Sequence, residues 1–198
     1  MTSFFIAPIV EGKGEVEALP KLLHRLFRES RSDGYLAVNP AIRVKAASFM
    51  NQEDYFERHV ELAARKAKAY PRGTVLVLLD CEDDCPAIVG PALLQRAQKV
   101  RSDVSFMVAL AFREYETWFL AAARSLRSIG GLPGDLQPPK NPEGIRGAKE
   151  WLGARMAGGY DSIEHQPLFT EHFSFKQAAA VGSFARLRNK LHSFLTQF

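Results

Sequence analysis

The chain has 198 residues, of which 46% are hydrophobic and 24% are charged, and its formal net charge at pH 7 is +4. This length supports one domain with a sizeable core, and the composition excludes an intrinsically disordered protein. A mildly basic chain suits a polyanionic partner such as nucleic acid.

Two features of the sequence bear on where the protein works. The apolar run over residues 4–10 is too short to span a membrane, and it lacks the basic lead of a signal peptide, so we expect no membrane association. Cys81 and Cys85 match neither a C-x-x-C redox motif nor a zinc ribbon. We therefore expect a protein of the reducing cytoplasm.

The first residues predict a strand, a turn and a helix. Residues 3–10 are almost continuously apolar, as in a central parallel strand that is buried on both faces. Gly12 and Gly14 supply a tight turn, and residues 15–28 then repeat apolar side chains at helical spacing. Pro20 falls inside this pattern, where a proline removes one hydrogen bond of the helix.

Strands and helices continue to alternate along the chain. Residues 41–47 alternate apolar and basic side chains, which predicts an edge strand, and residues 53–70 predict a helix that ends before Pro71. Residues 74–79 predict a buried third strand, which ends at Asp80. A helix over residues 86–100, a strand over residues 104–112 and a helix over residues 115–129 follow.

This alternation predicts an α/β fold, with an open, mainly parallel sheet of about four strands flanked by helices. Residues 130–147 are rich in Gly and Pro and predict a long loop, and the remaining residues predict helices. We divide the chain into an α/β core, residues 1–129, and a loop and helical C-terminal extension, residues 130–198, packed on the same domain.

Acidic residues follow two of the predicted buried strands. Glu11 and Glu15 bracket the first strand-to-helix turn in E-G-K-G-E, and the third strand is followed by D-C-E-D-D, residues 80–84. Ligands of open α/β sheets bind beyond the carboxyl ends of the strands, so neighbouring strands would collect these carboxylates. Mutual repulsion raises their pKa unless a cation is bound, and Mg²⁺ or Mn²⁺ prefers such oxygen ligands. The alternative is that both clusters are solvated helix caps.

These motifs resemble the Toprim domain of topoisomerases, bacterial primases and OLD-family nucleases. In I-V-E-G-K-G-E, Glu11 matches the invariant Glu of that superfamily, and Glu15 matches a second acidic position. The Asp-x-Asp motif falls on Asp80 and Glu82, so a longer Glu replaces the second Asp. Asp83 or Asp84 is an alternative for that place.

A third stretch extends the resemblance to small Toprim-like proteins that are often encoded beside AAA-type or ABC-type ATPases. It is R-E-Y-E-T-W-F-L-A, residues 113–121, after the fourth predicted strand. On a helix, Glu114 and Glu116 point in nearly opposite directions, so only one of them is a good metal ligand. We favour Glu116, which flanks the apolar face, although solvated first-turn acids would explain either residue.

The resemblance implies a Mg²⁺-dependent (or Mn²⁺-dependent) nuclease that hydrolyses phosphodiester bonds, in a setting such as phage defence with an ATPase partner. It assigns catalysis to Glu11, Asp80 and Glu82. The metal-binding set that it implies is Glu11, Glu15, Asp80, Glu82, Asp84 and Glu116. The alternative function is a non-catalytic Toprim-fold subunit that binds or regulates an ATPase. DNA and RNA both remain open as substrates.

Other binding motifs are absent from the sequence. It contains no G-x-x-x-x-G-K-[ST], which excludes a P-loop ATPase, and the third glycine of a dinucleotide fingerprint is missing after Gly12 and Gly14. The five histidines form no set with metal-ligand spacing. Lys176 and Arg186 are candidates for contacts with substrate phosphates, or else they belong to solvated helix faces.

Overall fold

The computed structural model describes residues 3–30 and 33–197 of the chain. In chain order, the strands and helices are β1 (Ser3–Val10), α1 (Lys13–Glu29), β2 (Tyr35–Val38), β3 (Ile42–Arg43), α2 (Ala46–Asn51), α3 (Glu53–Lys68), β4 (Gly73–Asp80), α4 (Pro86–Val100), β5 (Ser105–Ala111), α5 (Thr117–Ala121), α6 (Ala148–Gly153), α7 (Ser162–His172), α8 (Phe175–Ala178) and α9 (Gly182–Thr196). Within these described ranges, no helix is long and apolar enough to cross a membrane.

The five strands form one sheet in the order β2-β1-β4-β5, and β3 follows β2 along the same edge of β1. Each pair of neighbouring strands is parallel. Val10 of β1 lies opposite Leu78 of β4, and Asp80 lies opposite Ala111 of β5. The predicted α/β fold class is therefore confirmed, with five strands where about four were expected, and the strands that end near Glu11 and Asp80 are neighbours.

The pleat of the sheet sorts its apolar side chains into two cores. Ile6 and Leu78 belong to the face that packs against α1 and α9, while Ile9 and Val77 belong to the face that packs against α3 and α4. Because helices cover both faces, β1 and β4 are apolar at nearly every position. The carboxyl edge of the sheet is then the place that remains for a polar site.

The edge of the sheet beside β1 differs from the prediction. The strand β2 was not predicted, and the strand predicted over residues 41–47 is wrong for most of its length, since only Ile42–Arg43 pair with β1 and α2 begins at Ala46. The pairing ends because β1 itself ends at Val10, whose carbonyl accepts a last hydrogen bond from the Val44 N–H at 2.8 Å.

The helix predicted over residues 115–129 is also wrong in its length. The helix α5 spans only Thr117–Ala121, and a 3₁₀ turn at Ala123–Leu126 follows. Tyr115, Trp118 and Phe119 are all fully buried. Aromatic side chains buried in several directions hold this segment by tertiary contacts, so it does not need the single apolar face of a longer helix.

The C-terminal helices pack on the sheet and on its first helix. The helix α7 lies along α1, and α9 contacts β5. Phe169 of α7 and Leu187 of α9 therefore join the same core as Ile6 and Leu78. The predicted loop is present between α5 and α6, with a second 3₁₀ turn at Pro142–Gly144. The division into residues 1–129 and 130–198 stays a prediction.

Candidate functional site

Glu11 and Asp80 leave the sheet at the same edge. Glu11 follows the last residue of β1, and Asp80 is the last residue of the neighbouring strand β4. Burial and the nearby charge of Glu82 raise the pKa of the Glu11 carboxyl, while Lys149 opposes this rise. The two residues that were predicted from strand ends therefore lie at one place in the structure.

Glu15 turns back from the first turn of α1 toward the end of β1. Its Oε2 accepts hydrogen bonds from the backbone N–H groups of Glu11 (3.2 Å) and Gly12 (3.3 Å), so it also caps the helix. The side chain is nevertheless buried. Burial, together with the charges of Glu116 and Glu11, raises the pKa of Glu15 to about 7, although the two N–H donors act against the rise. Glu15 is both a cap and a member of the carboxylate cluster.

Asp80 is fixed by the chain that follows β5. Its Oδ1 accepts a hydrogen bond of 2.9 Å from the backbone N–H of Tyr115, and only 12% of its side chain is exposed. Burial first, and then the charges of Glu15 and Glu116, raise the pKa of the Asp80 carboxyl well above its ordinary value. An aspartate in this position is costly to ionise without a cation nearby.

Glu116 is the most deeply buried acid of the site, with no exposed side-chain surface. Its Oε1 accepts hydrogen bonds from the Tyr160 hydroxyl (2.9 Å) and from Gln166 Nε2 (3.3 Å). Its Oε2 is buried and has no hydrogen-bond partner within the described residues. Burial raises the pKa of the Glu116 carboxyl, while Lys149 opposes the rise. This oxygen is the clearest unsatisfied ligand atom of the site.

Lys149, from the first turn of α6, lies among three carboxylates. Its Nζ is 3.5 Å from Glu114 Oε2, 3.6 Å from Glu116 Oε2 and 3.9 Å from Asp80 Oδ2. Its backbone N–H also donates to Glu114 Oε2 at 3.3 Å. Partial burial alone would lower the pKa of this ammonium, but the surrounding carboxylates outweigh burial and raise it. Lys149 is therefore charged at any physiological pH.

The prediction that only one of Glu114 and Glu116 is a good metal ligand stays a prediction, but both acids contact the Lys149 ammonium. The prediction assumed a regular helix over this segment. Arg113 instead has a left-handed φ of 67°, and α5 begins only at Thr117. The two acids lie in the turn before the helix, where the helical angle between alternate residues does not apply.

The remaining acids of D-C-E-D-D lie nearer to solvent. Glu82 is exposed and has a left-handed φ of 47°, and its charge acts on Glu11. Asp83 forms ion pairs with Arg113 and, at 2.9 Å, with Arg146. Asp84 is exposed, and its charge acts on the Cys81 thiol. Glu82 therefore stands at the rim of the cluster, while Asp83 is engaged by arginines.

The cluster carries more negative charge than its own cation can balance. Asp80, Glu114 and Glu116 lie within 4 Å of the Lys149 ammonium, and the charges of Glu11 and Glu15 act on the same cluster. Among the described residues, Lys149 is the cation that forms ion pairs with these acids. Within the described residues, no three His, Cys, Asp or Glu side chains are arranged as a metal site as they stand. The donors are nevertheless all hard oxygens, and the orphaned Oε2 of Glu116 adds a free ligand atom. Such a set fits Mg²⁺ or Mn²⁺.

Three polar residues of the site were not predicted from sequence. Lys149, Tyr160 and Gln166 reach the carboxylates from the C-terminal extension. The one available signal was Asp161, a helix N-cap whose Oδ1 accepts from the N–H groups of Ile163 and Glu164. It marks where α7 begins, but it does not show which way the residues around it point.

The two basic residues suggested for phosphate contacts lie on the C-terminal helices and are not members of the carboxylate cluster. Lys176 is exposed on the short helix α8, and Arg186 is exposed on α9. Neither forms an ion pair with a carboxylate in the described part of the chain. Their side chains are therefore free to meet an anion from solution.

A family model described as a domain of unknown function (DUF4276) matches residues 10–192 of the chain. The matched range contains all the carboxylates of the cluster, Lys149 and most of α9. No curated protein and no solved structure matches the chain.

Proposed function

The chain belongs to the DUF4276 family, a domain of unknown function, and we propose that it is a Toprim-type nuclease. In this proposal it hydrolyses phosphodiester bonds of nucleic acid with the help of Mg²⁺ or Mn²⁺. The proposal starts from the site at the carboxyl edge of the sheet and from the motifs that this site contains.

The observation that carries the proposal is the concentration of buried carboxylates around one ammonium. The pKa values of Glu11, Glu15, Asp80 and Glu116 are all raised, in each case first by burial. Solvated acids that only cap a helix would lie at the surface and would not be buried together in this way. A buried acidic cluster that shares a small volume favours a cation-binding role.

The residues of the site would have different roles in such a reaction. Glu11, Asp80 and Glu116 would hold the metal, with Glu15 in support and Glu82 at the rim. A bound divalent cation supplies a more acidic water and charge stabilisation at a phosphate. Tyr160 and Gln166 donate hydrogen bonds to one oxygen of Glu116, and the other oxygen has no hydrogen bond from a described residue and lies 3.6 Å from Lys149 Nζ. Lys149 keeps its proton on Nζ and offsets part of the negative charge of Asp80, Glu114 and Glu116.

The motif order and the sheet support the Toprim part of the proposal. The resemblance rests on E-G-K-G-E after one strand and D-C-E-D-D after another, and it requires these strands to be neighbours. The strands β1 and β4 are paired in parallel. The net charge of +4 supports nucleic acid as the substrate.

The proposal is tested by Asp80→Asn. We expect purified protein to cleave labelled DNA or RNA with Mg²⁺ or Mn²⁺, and the variant to lose at least about 100-fold of this activity. Asp135→Asn is the matched control, because Asp135 is exposed in the loop before α6. Calorimetry should show Mg²⁺ binding to the wild type and the control but not to Asp80→Asn. Cleavage that survives in Asp80→Asn contradicts the proposed site.

A second candidate function is a non-catalytic subunit that keeps the fold and regulates an ATPase. The observation that favours it is the position of Lys149. Its ammonium lies within 4 Å of three carboxylates and offsets part of the negative charge that a metal ion would otherwise balance. This candidate predicts that the wild type binds no Mg²⁺ in calorimetry and cleaves no nucleic acid. The two candidates therefore differ in the same two measurements.

The proposal also extends to the setting of the protein. By the Toprim resemblance, it acts in phage defence beside an AAA-type or ABC-type ATPase. Its thiols, the buried Cys81 and the exposed Cys85, are free and suit the reducing cytoplasm. Cleavage that increases when such an ATPase is added would support the partnership.

A further inference from the structure

The outer edge of β5 carries a slot that the carboxylate site does not use. One edge of β5 pairs with β4, and no described strand pairs with the other. The helices α4 and α9 pack on opposite faces of the sheet and flank this free edge. A cavity of about 200 Å³ lies between α4 and α9, and a second cavity of about 270 Å³ lies between the start of β5 and the end of α9. Lys190 lines both. We call these adjoining cavities the β5 slot.

The β5 slot is positively charged and contains no acid. The segments α4, β5 and α9 have no Asp or Glu at any position. Arg186 and Lys190 line the slot from α9, and both are exposed and have no ion pair with a described residue. Arg188, two residues from each of them, instead pairs with Glu29 at 3.1 Å. The two unpaired cations are therefore specific to the side of α9 that faces the slot.

The part of the β5 slot between α4 and α9 has an apolar floor, and its end approaches the carboxylates. Leu94 of α4 and Ala109 of β5 line the floor. Leu110 lines the end and lies opposite Leu79 of β4, which directly precedes Asp80. Neighbouring strands are about 5 Å apart, so the slot ends close to the site. The slot runs along β5, which has seven residues and is therefore roughly 20 Å long.

We propose, building on the nuclease function above, that the β5 slot binds one single strand of nucleic acid and leads it to the carboxylate cluster. Arg186 and Lys190 contact backbone phosphates, and the apolar floor contacts sugars or bases. A basic groove with an apolar surface is the arrangement that suits single strands. We expect the slot to bind a single strand more tightly than a duplex, because the bases of a single strand can reach an apolar surface, whereas those of a duplex are paired and stacked on one another.

The first experiment measures binding without cleavage. Fluorescence anisotropy in EDTA compares a labelled single-stranded oligonucleotide with a duplex of equal length. We expect the double variant Arg186→Gln/Lys190→Gln to bind the single strand roughly 10-fold more weakly at low salt. The slope of log K against log salt should become shallower by about 1.4, or about 0.7 for each phosphate that the variant no longer neutralises.

The control for this experiment is Arg188→Gln. It removes one positive charge from the same helix, half of what the double variant removes, but on the side that pairs with Glu29. An exposed pair of this kind contributes little to stability, so the variant should fold normally. We expect its affinity for the single strand to stay within about 2-fold of the wild type.

A second variant fills the β5 slot without changing α9. A Cβ on Gly90 would meet only Leu110 Cδ1, at 3.8 Å, which is an ordinary contact, and Gly90 lies within α4. Replacing this helical glycine is favourable for the helix itself. Gly90→Glu should weaken single-strand binding as the double variant does, because it adds an anion to the slot, whereas Gly90→Ala should bind as the wild type.

The outcomes separate this inference from the proposed function. Equal affinity in the wild type and the slot variants, a preference for duplex, or no binding at all overturns the slot as the binding site. Variants that change only self-association in light scattering also overturn it, and assign the free edge of β5 to a second copy of the chain. Slot-dependent binding without any cleavage in Mg²⁺ supports the slot and overturns the nuclease. Cleavage that is as fast in the slot variants as in the wild type supports the nuclease and overturns the slot.

Discussion

Glu15 shows how one residue serves local structure and the site together. As a cap it accepts two backbone N–H groups, and this is favourable when the carboxyl is either neutral or charged. As a member of the cluster it is buried beside Glu116 and Glu11, and this is unfavourable when it is charged. The two roles respond differently to removal of the charge, so they can be separated by one substitution.

We expect Glu15→Gln to stabilise the metal-free protein at pH 8 and to leave it nearly unchanged at pH 5. Glutamine keeps a carbonyl oxygen for the two N–H donors, and it removes a charge that folding must otherwise accommodate. The pKa of Glu15 is raised to about 7, so the gain at pH 8 is on the order of 2 kcal/mol. Urea denaturation in EDTA at both pH values measures the difference.

The matched control for this substitution is Glu17→Gln, on an exposed position of the same helix. It should change the free energy of unfolding by less than about 0.5 kcal/mol at either pH. If Glu15→Gln lowers stability at pH 8, the capping role of the carboxylate outweighs its cost in the cluster. Our account of Glu15 would then be wrong.

The sequence was informative about residues whose position follows from a strand end. Glu11 and Asp80 were placed together because parallel strands bring their carboxyl ends to one edge. Lys149 could not be placed in this way, since it meets Glu114 and Glu116 only after the long connection between α5 and α6 returns to the site. A lysine of this kind has no local pattern that separates it from a solvated one.

At the scale of elements, the contact between α1 and α7 depends on the second glycine of E-G-K-G-E. Gly14 is buried in the first turn of α1, and a Cβ at this position would collide with the Ser162 carbonyl oxygen and with Gln166 Oε1. The same Gln166 donates to Glu116. The close approach of the two helices at Gly14 therefore also positions a side chain of the site.

We expect Gly14→Ala to destabilise the protein by about 1–3 kcal/mol, which is the usual cost of overpacking. The intrinsic preference of a helix for alanine, about 1 kcal/mol, acts in the opposite direction but cannot remove a clash with backbone. Gly158→Ala is the control, because a Cβ there meets nothing within 4 Å. Thermal unfolding measures both variants, and equal melting temperatures would contradict the close packing of α1 on α7.

The elements that the sequence predicted well are those with a clear hydrophobic pattern, either a continuous apolar run or a helical period. The strands β1 and β4 and the helices α1, α3 and α4 were predicted within a few residues of their bounds. The strand β3 was overextended because its pairing is limited by the end of β1, which a local pattern does not contain. The helix α5 was overextended because the aromatic side chains around it are buried on several sides. Tertiary contacts decided both cases.

At the scale of the whole molecule, the site is shared between the sheet and the C-terminal helices. Glu11, Glu15 and Asp80 come from the first half of the chain. Lys149 of α6 reaches Asp80 and Glu116, and Gln166 of α7 reaches Glu116. The same helices cover one face of the sheet. Folding of the C-terminal part therefore both completes the core and encloses the acids. Stability and ionisation of the site must then be linked.

This linkage predicts how the stability of the metal-free protein depends on pH. Folding raises the pKa of Glu11, Glu15, Asp80 and Glu116 above the unfolded values, which are 4.5 for Glu and 3.8 for Asp. The folded state therefore keeps protons that the unfolded state has already released. Well below pH 3.8 both states are protonated and the acids have no effect, and as pH rises from 3.8 through about 7 and above, stability falls.

Mg²⁺ should reverse this loss, because it binds the ionised carboxylates of the folded state and displaces their protons. In EDTA, we expect urea denaturation to give a lower free energy of unfolding at pH 8 than at pH 5.5. We expect Mg²⁺ at about 10 mM to raise the free energy of unfolding more at pH 8 than at pH 5.5. Asp80→Asn should weaken the response to Mg²⁺, and Asp135→Asn should keep it. If Mg²⁺ does not change the free energy of unfolding at pH 8, the metal site is contradicted. Lys149 would then be favoured as the cation that balances the cluster.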